Sequence, residues 1–371
     1  MFDMRQLGIS VYPDHTSLAE DQQYLDLAAK YGYKRIFTSL LQLHGDAGED
    51  NLERFKATID YANKLGFKTI VDINPALFTD LGVTYDDLHF FHNLGVWGLR
   101  LDEGFTGVEE ARMTRNPFGL KIEINMSAGT NYLASIMSYH PNTDNLLGCH
   151  NFYPQMYTGL SDQYFVDYSQ PYRDNNLHTA AFVSAASATF GPWPVSEGLP
   201  SMESDRTRPI ATQVQHLLLT GMVDDVIIGN AYASEAELKA AADSFNAANP
   251  QLTVDLNADI TDTEKAIVLD GISGSHLYRG DASDYLLRST LPRIKYGNAS
   301  IPAHGETGNF QRGDVLVVND KYGRYKGEMQ IALTCVPNDG RRNKVGRVAD
   351  SDLALLAQIH PWMTFQLVTA K

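Results

Sequence analysis

Two stretches of the chain alternate apolar and polar residues with a period of two. They are Gly98-Leu99-Arg100-Leu101-Asp102-Glu103-Gly104 and Lys121-Ile122-Glu123-Ile124-Asn125-Met126-Ser127. That period predicts strands with two unlike faces. Leu99, Leu101, Ile122 and Ile124 face one layer, and Arg100, Asp102, Glu123 and Asn125 face the other. A sheet face carrying those four groups must pair them or use them, because unpaired polar groups are costly to bury.

Similar runs recur on both sides. Strands are predicted at 7–13, 35–41, 68–75, 146–153, 179–185 and 225–230. The segments between them show helical spacing. The first opens on the capping pattern Ser17-Leu18-Ala19-Glu20 and runs through Leu25, Leu27 and Ala28 to Gly32. After a loop carrying His44 and Asp46, a second helix spans about 52–65 and ends at Gly66; others end near Gly95 or cover 107–112, 131–137 and 234–248. Eight strands alternating with helices predict parallel pairing and a (β/α)8 TIM barrel. The open doubly wound sheet is the structural alternative, but no Gly-x-Gly-x-x-Gly follows the first strand.

Pro250 closes this pattern. Beyond it, strand-like runs at Ala266–Leu269, Val315–Val318, Gln330–Cys335 and Phe365–Val368 are separated by Gly, Asn and Asp turns, Asn338-Asp339-Gly340 among them. The expected organisation is a barrel over 1–249 followed by a small, mostly-β domain over 250–371.

The net charge of -15 and a pI near 5.1 lack the basic footprint that nucleic acids and acidic membranes require. Cys149 and Cys335 form neither a disulfide framework nor a metal-binding spacing, which suits a reducing compartment. Met1-Phe2-Asp3-Met4-Arg5 runs directly into the first strand, and no apolar run is long enough to span a bilayer. The expectation is a cytoplasmic protein acting on a small molecule.

A barrel of this kind works at the carboxyl ends of its strands. Collected there are Ser10, Tyr12, Asp14, Asp72, Asn74, Arg100, Asp102, Glu103, Glu123, Asn125, Asn151, Tyr153, Ser184 and Asn230. Any one of these could be a capping or solvating group; their recurrence on nearly every strand points to a polar substrate. No lysine stands at a strand's carboxyl end, which disfavours a Schiff base. No Gly-x-Ser-x-Gly elbow or His-Glu-x-x-His pair occurs. Carboxylate acid–base chemistry of the glycosidase type fits what remains. Asp102 and Glu123, on adjacent strands, are the first choice of pair, at an expected separation of about 5–8 Å. Glu197 and Asp72 compete for one of the two roles. Asp72, Asp102, Glu123 and His150 could instead form an oxygen-rich metal site.

The loop after the seventh strand, Phe190 to Pro200, carries Trp193, a flat surface suited to a sugar ring. Arg206 and Arg208 follow as a basic island in an acidic chain, where barrels often hold phosphate. Their simpler reading is surface pairing with Glu203 and Asp205.

Taken together, Leu-Gly-Ile-Ser-Val-Tyr-Pro at the start, Leu-Arg-Leu-Asp-Glu-Gly-Phe, Ile-Glu-Ile-Asn-Met-Ser, Cys-His-Asn-Phe-Tyr-Pro and Ser-Glu-Gly-Leu-Pro resemble the bacterial 6-phospho-N-acetylmuramidases over essentially the whole length. The resemblance implies a TIM barrel followed by a cyclophilin-like domain. It also implies hydrolysis of 6-phosphorylated N-acetylmuramyl-N-acetylglucosamine during cell-wall recycling, with neither metal nor organic cofactor. On that reading Asn125, Asn151 and Tyr153 hold sugar hydroxyls or the N-acetyl group, and Arg206 and Arg208 are the candidates for the 6-phosphate, alone or with help from the second domain. An acetamido sugar also permits substrate-assisted cleavage. Two rivals are a metal-dependent sugar-phosphate isomerase or lyase and a non-catalytic carbohydrate-binding protein. A lid, a homodimer interface and a partner platform all stay open for the second domain.

Overall fold

The computed structural model describes residues 5–41, 48–194, 197–305 and 307–369. The predicted His44 and Asp46 loop lies outside these residues. The chain divides into two units, 1–245 and 246–371.

In the first unit eight strands close into a barrel in sequence order: β1 (Leu7–Ser10), β2 (Arg35–Ser39), β3 (Lys68–Ile73), β4 (Gly98–Leu101), β5 (Lys121–Asn125), β6 (Leu146–Cys149), β7 (His178–Val183) and β8 (Asp225–Ile228). All pair in parallel, and β8 returns to β1 through Leu7↔Val226 and Ile9↔Ile228. The helices are α1 (Leu18–Lys30), α2 (Gly48–Lys64), α3 (Pro75–Asp80), α4 (His89–Leu94), α5 (Val108–Met113), α6 (Tyr132–Ser138), α7 (Asp162–Asp174), α8 (Ile210–Leu219) and α9 (Glu235–Phe245). Ser17 caps α1 with the predicted box: its hydroxyl accepts from the Glu20 N–H while Glu20 accepts from the Ser17 N–H. Neither α7 nor α8 is among the helices expected from the sequence. Pro171 interrupts the pattern of α7, and α8 is buried along most of its length.

Alternation sorts the barrel residues as predicted. Leu99, Leu101, Ile122 and Ile124 point outward into a core shared with Phe91, Ile136 and Leu133 of the helices. Ile9, Val183, Val226 and Ile228 do the same on the other side, against Leu25, Val214 and Leu238. The interior is plugged by Tyr12, Phe37, Phe182 and Ile227, with Phe152 stacked edge-on against both phenylalanines. Beneath that plug lies Arg35, fully buried, its guanidinium shared between Glu123 and Asp225. Gly8 makes room for it: a β-carbon there would lie 3.0 Å from that of Arg35 and 3.1 Å from Ile227.

The second unit is built on a seven-stranded sheet. Its strands are β9 (Gln251–Leu256), β10 (His276–Leu277), β11 (Leu286–Ser289), β13 (Asp314–Val318), β14 (Met329–Ala332), β16 (Arg342–Val348) and β17 (Thr364–Val368), in the order β10-β17-β9-β16-β13-β14-β11. A separate pair joins β12 (Asn309–Phe310) to β15 (Val336–Pro337). One predicted strand is wrong in kind: Ala266–Leu269 lies inside helix α10 (Asp262–Asp270). Its apolar run reads as a strand by composition, but Thr261 and Glu264 form a capping box just upstream, and that start signal outweighs the run.

Candidate active site

The carboxyl end of the barrel opens into a cavity of about 280 Å³ lined by Ser39, Asp72, Arg100, Asp102, Asn151, Phe152, Tyr153, Pro192 and Trp193. Its centre is Arg100, 2 % exposed. Nη1 of Arg100 donates to Asp72 at 2.9 Å and to Asp102 at 3.2 Å, and Nη2 donates to Oδ1 of Asn151. Because one nitrogen binds both, those two carboxylate oxygens lie no farther apart than about 6 Å, the two bond lengths end to end. Burial works against the charge on Arg100, but Asp72, Asp102 and Glu123 hold its proton more firmly than usual.

Asp72 differs from its neighbour in environment. Burial pushes its carboxyl up to about 7, against the pull of Arg100, with Asp102 and Glu123 adding repulsion. The side chain of Asp102 is 36 % exposed. A buried acid beside a reachable carboxylate is the asymmetry that acid–base catalysis requires. Asn125 fixes the second of them from behind: its Oδ1 accepts from the Ser127 N–H and its Nδ2 reaches the Asp102 carbonyl.

Glu123 occupies a different layer. It stands in register with Arg100, but the stagger of a closed barrel carries that line toward the amino ends of the strands. Its carboxylate meets Arg35, both 1 % exposed. His178 donates at 2.9 Å to Asp225, the other partner of Arg35. Burial pushes Asp225 up, yet Arg35 and His178 together keep it below the usual carboxylate range. Asp102 and Glu123 are therefore not a facing pair at the mouth.

His150 points outward, away from the cavity. It stacks on Phe165 of α7 and bonds to Ser169 at 2.8 Å and Ser127 at 3.0 Å. Burial lowers it to about 3, with Arg100 adding repulsion. The proposed metal set of Asp72, Asp102, Glu123 and His150 is thus spread over three layers. Among the described residues no group of three His, Cys, Asp or Glu converges to hold a metal ion.

Several other expected residues serve the walls. Asn74 caps α3, accepting from the Leu77 N–H at 2.9 Å. Tyr12 is buried and donates to the Gly229 carbonyl, and Ser10 is buried beside it. Ser184 accepts from the Leu199 N–H at 2.9 Å, and its backbone pairs with Gln213. Glu103 is exposed, outside the cavity lining. Glu197 is exposed too, and accepts from the Met156 N–H.

Arg206 and Arg208 do not reach the cavity either. Arg206 grips Glu203 through Nε and Nη2 and spends Nη1 on the carbonyls of Tyr153, Glu197 and Gly198. Arg206 holds Glu203 down to about 2, helped by the Tyr157 and Gly159 N–H groups. Arg208 donates to Asp205 at 2.8 Å and to His216 at 3.1 Å. These are struts of the loops that present Tyr153 and Trp193; the two arginines do pair with Glu203 and Asp205, but inside the loops and not at the surface. Ser39, absent from the sequence reading, lines the cavity in register with Asp72. The alternation Arg35, Phe37, Ser39 would have placed it there.

The chain matches the family "6-phospho-N-acetylmuramidase, N-terminal" over residues 7–243 and "6-phospho-N-acetylmuramidase, C-terminal" over 250–368. It superposes on an uncharacterized B. cereus protein with 42 % identity and a TM-score of 0.90, covering 99 % of this chain and 100 % of that one. A conserved Enterococcus faecalis protein of unknown function gives 28 % identity and a TM-score of 0.73, over 98 % and 96 %. Comparison with curated proteins gives no match. No helix among the described residues is long and apolar enough to cross a membrane. With both family regions matched in order and nearly end to end, the chain belongs to the 6-phospho-N-acetylmuramidase family of glycosidases.

Proposed function

We propose that the barrel hydrolyses the glycosidic bond of a 6-phosphorylated N-acetylmuramyl disaccharide, in the cytoplasmic recycling of cell-wall sugars. The observation that carries the chemistry is the pair Asp72 and Asp102 on one Arg100 nitrogen, with Asp72 pushed up to about 7. Asp72, which keeps its proton up to about pH 7, donates it to the glycosidic oxygen as the bond breaks. Asp102 supplies the carboxylate, either attacking the anomeric carbon or orienting the substrate's acetamide oxygen to do so. Arg100 holds the two carboxyl groups apart in role. Their closeness leaves little room for the water an inverting enzyme places between its carboxyls, about 6.5–9.5 Å apart. Asn151, whose Oδ1 is taken by Arg100, offers its amide N–H groups to a sugar hydroxyl, and Tyr153 and Trp193 form the walls.

Two outcomes follow. Purified protein should release product from the 6-phosphorylated disaccharide and leave the unphosphorylated twin intact, as read by chromatography of the sugars. Folded protein that cleaves neither, yet binds the phosphorylated form, would move the reading to a sensor. The pH profile carries a second expectation. Because Asp72 must hold its proton, kcat should fall tenfold per unit as pH rises past about 7, measured between about pH 5 and 9. A flat profile above neutrality would remove Asp72 from the acid role.

A further inference from the structure

The net charge of -15 is carried unevenly. Residues 246–371 contain 14 Lys and Arg and 14 Asp and Glu, so the whole acidic excess lies in residues 1–245. In the neutral unit, cations gather on one face of the seven-stranded sheet. Arg288 on β11 stands opposite Gln330 on β14, which stands opposite Leu316 on β13, and that in turn opposite Lys344 on β16. Glu328 and Arg342 precede Gln330 and Lys344 by two residues and share their face.

This face is built around a buried carboxylate. Glu328, 0 % exposed, accepts from Nε of Arg288 at 2.6 Å, from its Nη2 at 3.1 Å and from Nε2 of Gln330 at 2.8 Å. Oε1 of Gln330 accepts from Nε of Arg342 at 2.8 Å, and Nη1 of Arg342 reaches Asp339 at 3.2 Å. Aromatic rings support the cations. Tyr322 lies beneath Arg341 at 5.0 Å and Arg342 at 5.3 Å, and Tyr325 beneath Arg293 at 5.2 Å.

Burying Glu328 requires one well-placed cation, and Arg288 supplies it bidentately. Arg342 is met by Asp339 and Lys344 by Asp314 at 2.9 Å, but Arg293, 3.6 Å from the Glu328 carboxylate, and Arg341 exceed that need. Gathered guanidinium groups repel one another unless an anion lies among them. The bonds just named use the inner edges of Arg288 and Arg342 and leave Nη1 of the first and Nη2 of the second. Guanidinium groups whose planes are locked from behind lose little freedom on meeting an oxyanion and match its geometry.

We propose that this face of the second unit binds a phosphate monoester or free phosphate dianion. The site lies wholly within residues 246–371 and does not rest on the glycosidase reading of the barrel. Two sources share the chemistry, inorganic phosphate and a phosphorylated sugar. Calorimetric titration of the full chain with inorganic phosphate, N-acetylglucosamine 6-phosphate and unphosphorylated N-acetylglucosamine separates them. The expected result is saturable binding of a phosphate-bearing probe with Kd below about 1 mM at low salt, weakened roughly tenfold or more in both Arg341→Gln and Arg342→Gln. Equal affinity for the two phosphates assigns inorganic phosphate as the occupant; tighter binding of the sugar phosphate assigns a phosphosugar. Arg341 is exposed, so its variant tests the site with the fold intact. No saturation by either phosphate up to about 10 mM would overturn the proposal. So would undiminished binding in both variants at an unchanged melting temperature.

Discussion

Replacing Asp72 with Asn is expected to lower kcat on the phosphorylated disaccharide by about 10³-fold or more, about 4 kcal/mol of barrier, without destabilising the fold above pH 7. The two halves of this prediction have one cause. Burial raises the Asp72 carboxyl from 3.8 to about 7. Between those values the folded chain keeps a proton that the unfolded chain releases, so this residue's contribution to stability declines as pH rises through the interval. Above it, wild type bears a buried ionised carboxylate whose removal relieves the fold, while Arg100 keeps Asp102 as partner. The catalytic proton is lost all the same. Asp102→Asn should lose a similar factor in kcat but keep the decline above neutrality, because Asp72 remains. Urea unfolding and pH–rate profiles on both variants separate the roles. A large loss of stability in Asp72→Asn, tracking the loss of activity, would make Asp72 a structural partner of Arg100 instead.

Glu123→Gln should behave in the opposite way. Arg35 and Glu123 are sealed beneath the aromatic plug; removing one charge of such a pair typically costs about 3–5 kcal/mol, of which Asp225, left on Arg35, offsets a part. The expected result is a marked drop in the urea midpoint with kcat per folded molecule within a factor of a few of wild type. If stability holds and kcat falls by about 10³, the carboxylate of Glu123 takes part in the chemistry. Arg35→Met, which removes the cation and leaves two carboxylates facing each other, should unfold the barrel more readily than either single carboxylate change.

The alternation around residues 98–104 and 121–127 told which side chains enter the barrel, because period two is a property of the strand itself. It could not tell how deep each lies. Depth depends on stagger between strands, a closure property that no single strand carries, and so Glu123 read as a neighbour of Asp102 when it is a neighbour of Arg35. His150 misled for a related reason. Cys149, His150 and Asn151 alternate across the strand, and the polar residue drawing most notice is the one facing α7. Arg206 and Arg208 looked available as a basic island in an acidic chain, and Glu203 and Asp205 beside them read only as the simpler alternative. The carbonyls of Tyr153, Glu197 and Gly198, invisible in sequence, take up Nη1 of Arg206. Asp72, by contrast, was in view as a competitor; what singles it out is burial, which needs the fold.

The loops after β6 and β7 are tied to each other at many points. Glu203 accepts from the Tyr157 and Gly159 N–H groups, Arg206 reaches back to the Tyr153 carbonyl, and Tyr153 donates to Pro200 as Leu160 does to Ser201. Tyr153 and Trp193, one from each loop, stand on this shared frame. Exchange of one loop alone is therefore expected to displace the wall contributed by the other. A foreign loop after β6 would arrive without its counterpart after β7, so a graft is expected to keep Tyr153 and Trp193 in place only when both segments travel together.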